Sequence, residues 1–428
     1  MIYHDTLEFA NDLDAQDELK NFRNEFLFPQ HDGKDAIYLC GNSLGLQPKS
    51  VQQYVQAQLS NWQEHGVEGW FHPEAKWLEY HLQLKEPLSK ILGAKTEEIT
   101  VMNSLTVNLH LLLVSFYKPI NNKYKILMEG GAFPSDQYAI ESQVKFHGFD
   151  PKDAIIEVFP REGEYTLRTE DILSAIENNA DELALVMFSG LNYYTGQVFD
   201  MKAIAEAAHR AGAWCGFDLA HAAGNVPVKL HEWGADFACW CSYKYMNSGP
   251  GGISGIFVHE KHFENKELQR FTGWWGHGVG KRFLMTSGFV PAQGADGWQV
   301  STSPILLMAV HKAALDIFEK TGGLDKLRKK SLVLTGFLEY HIQLINQKHG
   351  EELFKIITPK DMEWRGCQLS VICKRNGKAT FDYLSKHGVI GDWREPDVIR
   401  LSPVPLYNRF KDVYSASKLL DESLSTVE

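Results

Sequence analysis

Three side chains stand out for what they could do together: Asp218 and His221 in FDLAH, and Lys244 in CSYKYMNSGPGG, 26 residues beyond Asp218. A lysine amine bonds covalently to an aldehyde and, once released, acts as a base. A carboxylate facing a ring nitrogen keeps that nitrogen protonated, so that the ring draws electrons. Hydroxyls and backbone N–H groups, often at a helix N-terminus, hold a phosphate. These are the demands that pyridoxal 5'-phosphate (PLP) makes of a protein, and the chain offers all of them after apolar runs. Lys244 follows the strongly apolar ADFACWCSY (235–243), which would leave its amine partly desolvated, as bonding to an aldehyde favours. Each feature alone has a plainer reading. A lysine after a strand usually points to solvent, an aspartate at a strand end usually makes a turn or caps a helix, and GPGGISG (249–255) is by default a flexible loop. The combination at this spacing carries the argument.

The elements that would position these residues are short apolar runs alternating with amphipathic segments. KILMEGGAF (125–133), LALVMFSG (183–190), AWCGFDLAH (213–221) and ADFACWCSYK (235–244) each end in small or polar residues. Helical spacing of apolar positions marks 51–65, 75–92, 169–180 and 201–211. Strands alternating with helices predict an α/β fold with a mostly parallel sheet covered on both faces. Ligands of such sheets collect at the carboxyl ends of the strands. Asp136, Ser189, Asp218, His221 and Lys244 all fall at or just after such ends. Beyond Pro304 the pattern changes: a long helix, ILLMAVHKAALDIFEK, is stopped by Thr321-Gly322-Gly323, and helices then alternate with LSVICK (369–374) and DVIRLSPV (397–404). The expected organisation is a large cofactor-binding α/β domain over 51–303 and a smaller α+β domain from 1–50 and 304–428.

Composition narrows the partners. A formal charge of −11 leaves no basic surplus for phosphates, so neither nucleic acid nor an anionic membrane is expected as a partner. No run approaches the roughly 18 apolar residues of a membrane span. The acidic N-terminus MIYHDTLEFANDLDAQDELK lacks the basic and apolar regions of a signal peptide. Six cysteines are scattered without a C-x-x-C pair, and Cys239 and Cys241 have the spacing of packing residues on a strand, so neither a metal nor a disulfide is expected. A soluble, cytoplasmic protein follows.

Longer segments sharpen the reading. YLCGNSLGLQPK (38–49), VMNSLTVNLHLLL (101–113), EGGAFPSDQYAIESQ (129–143), NYYTGQVFD (192–200), GFDLAHAAGNVPV (216–228), CSYKYMNSGPGGISGIFVHEKH (241–262), GWWGH (273–277), STSPILL (301–307) and RLSPVPLYN (400–408) run in order over almost the whole chain. In these segments the sequence resembles the kynureninases, enzymes of the aspartate aminotransferase fold (PLP fold type I).

The resemblance implies hydrolytic Cβ–Cγ cleavage of L-kynurenine to anthranilate and L-alanine, with 3-hydroxykynurenine also accepted. It implies Lys244 as the Schiff-base lysine, Asp218 at the pyridine nitrogen with His221 and Asp136 near the ring, and Phe133 stacked on it. Thr106, the Leu105 backbone and Tyr243 would hold the phosphate, and Ser189 would complete the cofactor shell. Tyr243 would later donate a proton, in a cationic environment that keeps its hydroxyl acidic. Trp274 and Thr302 would reach the site from a partner subunit, in a homodimer. Arg400 would grip the substrate carboxylate as a bidentate fork; without the resemblance, a surface salt bridge is its plainer reading. His65 would lie against the substrate's aromatic ring, with His72 only seven residues on. Ser43 would line the substrate pocket or simply serve a turn between glycines. Thr302, where animal members carry Asn, offers one short hydroxyl in place of an amide and favours kynurenine over its 3-hydroxy form. Two alternatives remain. A cysteine desulfurase of the same fold branch would carry His before the lysine, where this chain has Tyr243, and a mobile catalytic cysteine. A non-catalytic binding protein would have no reason to keep Lys244, Asp218 and Arg400 together.

Overall fold

Seven short segments, apolar on nearly every residue, can be strands only if a layer of helices covers each face. The computed structural model describes residues 1–426 and shows that arrangement. The strands are β1 (Ile99–Val101), β2 (Lys125–Glu129), β3 (Ile155–Val158), β4 (Leu183–Ser189), β5 (Trp214–Asp218), β6 (Phe237–Trp240) and β7 (Gly255–Val258). They form one sheet in the order β1-β7-β6-β5-β4-β2-β3. β7 is antiparallel to both its neighbours, and every other adjacent pair is parallel. Side chains alternate between two cores, as the period of a strand requires. Leu185 and Met187 of β4 join the core under helices Leu105–Phe116 and Pro134–Phe146, whereas Val186 and Phe188 join the core under Thr169–Asn178 and Met201–Arg210. Cys239 packs in the first of these cores, as its spacing predicted.

A second, antiparallel sheet follows in the chain: β8 (Phe354–Ile356), β9 (Leu369–Cys373), β10 (Asp392–Arg394) and β11 (Val398–Leu401), in the order β8-β9-β11-β10. Helices Leu324–His349 and Phe410–Thr426 cover it, and N-terminal residues such as Ala10 and Leu39 complete its core. The helix Ile305–Lys320 behaves differently from its neighbours in sequence. It packs on Val51–His65 and Leu82–Leu92, so its buried face serves the larger core although the change of pattern begins at Pro304. The chain turns away only at Gly322 and Gly323, whose φ values of +83° and +108° suit residues without a Cβ.

The helix expected over 75–92 is shorter. A single helical turn spans Trp77–Glu79, and the helix proper runs Leu82–Leu92. The Trp77 indole N–H donates to Gln58 Oε1 at 2.9 Å and its ring packs edge-on against Trp70, which outweighs local helical preference. Among the described residues, no helix is long and apolar enough to cross a membrane.

Burial of one histidine, His311, sets up a pH test. Neither ring nitrogen of His311, inside Ile305–Lys320, finds a partner among the described residues, and burial pushes its pKa down to about 3. The unfolded chain gains a proton near pH 6.5 that the folded chain refuses, so stability falls below that pH, by about 2 kcal/mol at pH 5. His311→Leu should reduce the drop in Tm between pH 7 and pH 5. An unchanged drop would clear His311 of that role.

Candidate active site

The carboxyl ends of β2, β4, β5 and β6 open into a cavity of about 220 Å³. In-register pairing puts Asp218, the last residue of β5, beside Ser189, the last of β4. Lys244 enters from a turn just past β6 that is tied down on both sides. The Gly45 N–H donates to the Tyr243 carbonyl at 2.8 Å, and Asn247 N–H donates to the Lys244 carbonyl at 3.1 Å. A Cβ on Gly45 would stand 2.3 Å from the Lys244 carbonyl oxygen, so the GNSLG loop can close on the lysine only with glycine there. Leu105 and Thr106 open the helix Leu105–Phe116 on one wall, and its N-cap, Ser104, makes no side-chain capping bond. Phe133 caps the helix Pro134–Phe146 on another wall and sends Asp136 inward from the first turn. Leu105, Thr106, Phe133, Asp136, Ser189, Asp218, His221, Tyr243 and Lys244 thus line one space.

Lys244 Nζ sits 3.0 Å from His221 Nε2 and 5.7 Å from the centre of the Phe133 ring. Burial, reinforced by the Lys244 charge, holds the His221 imidazole neutral well below its usual range, and its Nδ1 has no partner. Burial also raises Asp136 well above the ordinary carboxylate range, and the adjoining Asp218 adds to the shift. Asp218 is raised by burial, against which the Asp136 contact, the Ala220 N–H at 2.6 Å and Lys244 all pull. Burial and mutual repulsion favour proton uptake by this pair, and Asp136 Oδ1 is unpartnered. Tyr243 departs from the expectation of a cationic setting: burial, then the adjacent Cys241, pushes its hydroxyl up rather than down.

Arg400 and Ser43 lie together beside this cavity. Arg400, 1% exposed on β11, donates from Nη1 to the Tyr193 carbonyl at 2.7 Å and from Nη2 to Ser43 Oγ at 3.2 Å. Its Nη2 also pairs with Asp392, to which Ser43 donates. The cavity-lining loop after β4 is further bound to the second sheet through its own carbonyls. Gln368 Nε2 donates to Tyr193 at 3.0 Å, Ser370 Oγ to Tyr194 at 2.5 Å, and Thr358 Oγ1 to Thr195 at 2.6 Å.

Comparison with known proteins is decisive. Residues 37–356 match the family described as Aminotransferase class-V, and residues 327–420 match the Kynureninase C-terminal domain. The chain is 56% identical over 424 residues to the kynureninase of Flavobacterium psychrophilum, covering 99% of each protein. The chain belongs to the kynureninase family. Its relatives extend to the kynureninase of the animal Nematostella vectensis, 48% identical over 98% of this chain and 94% of that protein. The fold is shared more widely. A cysteine desulfurase of Thermococcus onnurineus superposes with a TM-score of 0.75 at 17% identity, over 91% of this chain and 95% of that one. A C-DES variant with glycine covalently linked to its PLP cofactor gives the same score and identity over 90% and 96%.

Five residues that the kynureninase resemblance placed near ligand do not line this chain's own cavity: Arg400 and Ser43, which lie beside it, and Trp274, Thr302 and His65. Trp274 is 46% exposed and donates its indole N–H to the Arg282 carbonyl at 3.0 Å. Thr302 is exposed. His65 stacks on His72 with ring centroids 3.8 Å apart, next to the Trp70–Trp275 pair, and its Nε2 is buried without a partner. Three residues at or beside the cavity escaped the sequence reading. Glu129 ends β2 inside it, raised by burial, and accepts from Asn192 Nδ2 at 2.8 Å. Its position after KILM, before two glycines, is the same strand-end signal that exposed Asp218. Tyr193 stands edge-on to Phe133 at 5.1 Å. Asp392 sits on a short polar strand that gave no signal.

The unpaired polar atoms suit a ligand with both a phosphate and a heteroaromatic ring. Ser189 Oγ, Asp136 Oδ1 and His221 Nδ1 are all buried without partners, and such groups are rare unless something meets them. PLP fits: Leu105 and Thr106 at the uncapped helix start would hold a phosphate, Phe133, Asp136 and Asp218 would face a ring, and Lys244 would supply the amine for its aldehyde. Asp136→Asn leaves the Asp218 carboxylate in place and should change PLP retention after dialysis by no more than a few-fold. Asp218→Asn removes the counter-charge and should lower retention at least tenfold. Equal losses would deny Asp218 its special place.

Proposed function

We propose that the protein hydrolyses L-kynurenine, adding water across the Cβ–Cγ bond to give anthranilate and L-alanine. The observation that carries the reading is that nine residues assigned from family resemblance converge on one cavity, in a chain similar to kynureninases over nearly its full length. PLP, when bound, supplies an aldehyde that captures the amino group and a ring that accepts electron density from Cα and Cβ. Lys244 would hold the aldehyde and, once released, remove the Cα proton; His221 neighbours the amine and orients it. Asp218 would keep the ring nitrogen protonated, with Asp136 beside it. Tyr243, with its hydroxyl pushed up by burial, keeps its proton at neutral pH and is suited to deliver it to Cβ when that bond breaks. Arg400 receives the α-carboxylate.

The protein acts as a cytoplasmic homodimer in this reading. Trp274 and Thr302, exposed on one protomer, complete the cavity of its partner, and His65 lies against the substrate's aromatic ring. The short Thr302 hydroxyl favours kynurenine over 3-hydroxykynurenine. A desulfurase reading is disfavoured by the cysteines. All six are buried and unpaired, and none lies on a mobile exposed loop where a sulfur-carrying thiol would have to work.

Incubation with L-kynurenine should yield fluorescent anthranilate with kcat/KM several-fold above that for 3-hydroxykynurenine. No anthranilate from PLP-loaded protein would sink the assignment. Lys244→Ala should abolish turnover. Arg400→Lys exchanges a two-pronged donor for a point charge and should raise KM about tenfold or more, a loss of about 1.4 kcal/mol, with kcat changed less. An unchanged KM would remove Arg400 from the substrate site.

A further inference from the structure

Asp392 has no place in the roles above, yet it sits at the centre of the polar group around Arg400. Antiparallel pairing of β10 with β11 sets it opposite Arg400. Its side chain is 11% exposed, pairs with Arg400 Nη2, accepts from Ser43 Oγ, and meets Arg394 Nε at 3.2 Å. Arg394 is 39% exposed and near enough to the cavity for its charge to be felt at His221. Arg400 Nε is buried and unpaired. Nη1 is committed to the Tyr193 carbonyl and Nη2 to Ser43 and Asp392, so Nε is the donor left free for a carboxylate.

The charges here add to a definite total. Arg400 and Arg394 contribute two positive charges and Asp392 one negative, leaving one unit of positive charge for the ligand. A kynurenine α-carboxylate cancels it; apart from the α-amino group, which is directed to the cofactor, the rest of that substrate is an uncharged aryl ketone. Without Asp392 the same place would hold two uncompensated cations, an attractive setting for an amino acid with a second carboxylate. At a separation of a few ångströms in a partly buried site, one unit of charge is enough to reorder affinities.

We infer that Asp392 is a specificity-determining residue: it fixes the Arg400 fork and limits the site to one carboxylate, excluding α-amino dicarboxylates. The inference rests on Arg400 being the carboxylate clamp of the proposed kynurenine site. Asparagine at 392 keeps the shape and can still accept from Arg400 Nη2, so mainly the charge is lost.

The test is competitive inhibition of anthranilate formation by L-alanine and by L-aspartate, with PLP-loaded protein. In the wild type L-aspartate should inhibit more weakly than L-alanine. In Asp392→Asn the ratio of the two Ki values should shift toward L-aspartate at least tenfold, while Asp392→Glu, which restores the charge, should retain the wild-type preference. A purely structural role would lower Tm and move both Ki values by one factor; that result overturns the inference while leaving kynurenine cleavage intact. If Asp392→Asn does not fold, Arg394→Gln decides. Removing the second cation should weaken L-aspartate at least threefold relative to L-alanine, and an unchanged ratio would overturn the inference. Failure of the functional reading is separate, since the wild type would then form no anthranilate.

Discussion

Everything at the cavity follows from the difficulty of keeping carboxylates ionised out of water. Glu129, Asp136 and Asp218 are all buried within one space, and Lys244 is the nearby cation. A cluster of that kind cannot hold three full negative charges, because desolvation and mutual repulsion both favour taking up protons. The chain distributes the load unequally. Asp136 is pushed up by burial and by Asp218, Glu129 accepts from the Ser189 N–H and Asn192 Nδ2, and Asp218 is held back by Asp136, the Ala220 N–H and Lys244. Of the two aspartates, Asp218 is thus the one whose neighbours favour the anion.

The sheet is what makes that distribution possible. Parallel strands end together, so residues far apart in sequence, such as Ser189 and Asp218, become lateral neighbours through register alone. The lysine turn is then fixed from outside the sheet by the GNSLG loop, whose glycine lets backbone meet backbone. Position in such a site is mostly backbone geometry, with side chains projecting from rigid ends.

Most of the large unit could be read from the chain, because its signals are local. Apolar runs ending in Asp218, Ser189 or Glu129 mark strand ends, and the boundaries of Ile305–Lys320 follow from a proline before and two glycines after. Strand-end positions hinted at the convergence on Lys244, and resemblance to relatives added the roles, since nothing in FDLAH reveals how far in space it lies from SYK. Three things were hidden for physical reasons. Asp392 reaches Arg400 through antiparallel register on a strand too short and polar to announce itself. The break near Lys76 arises from Trp77 packing on distant residues. The state of Tyr243 depends on solvent exclusion, which only the folded chain creates.

The seam between the cavity loop and the second sheet includes a row of main-chain oxygens: Tyr193, Tyr194 and Thr195 present carbonyls to Arg400, Gln368, Ser370 and Thr358. Attachment of that type takes no account of which side chains the loop bears. The Tyr194 ring still packs against Ile357, Ile372 and Val398, but the Tyr193 ring faces Phe133 in the cavity and can change in size and polarity without breaking these bonds. A lineage could retune what its pocket admits by substitution at position 193, while the guanidinium beside it stays where it is.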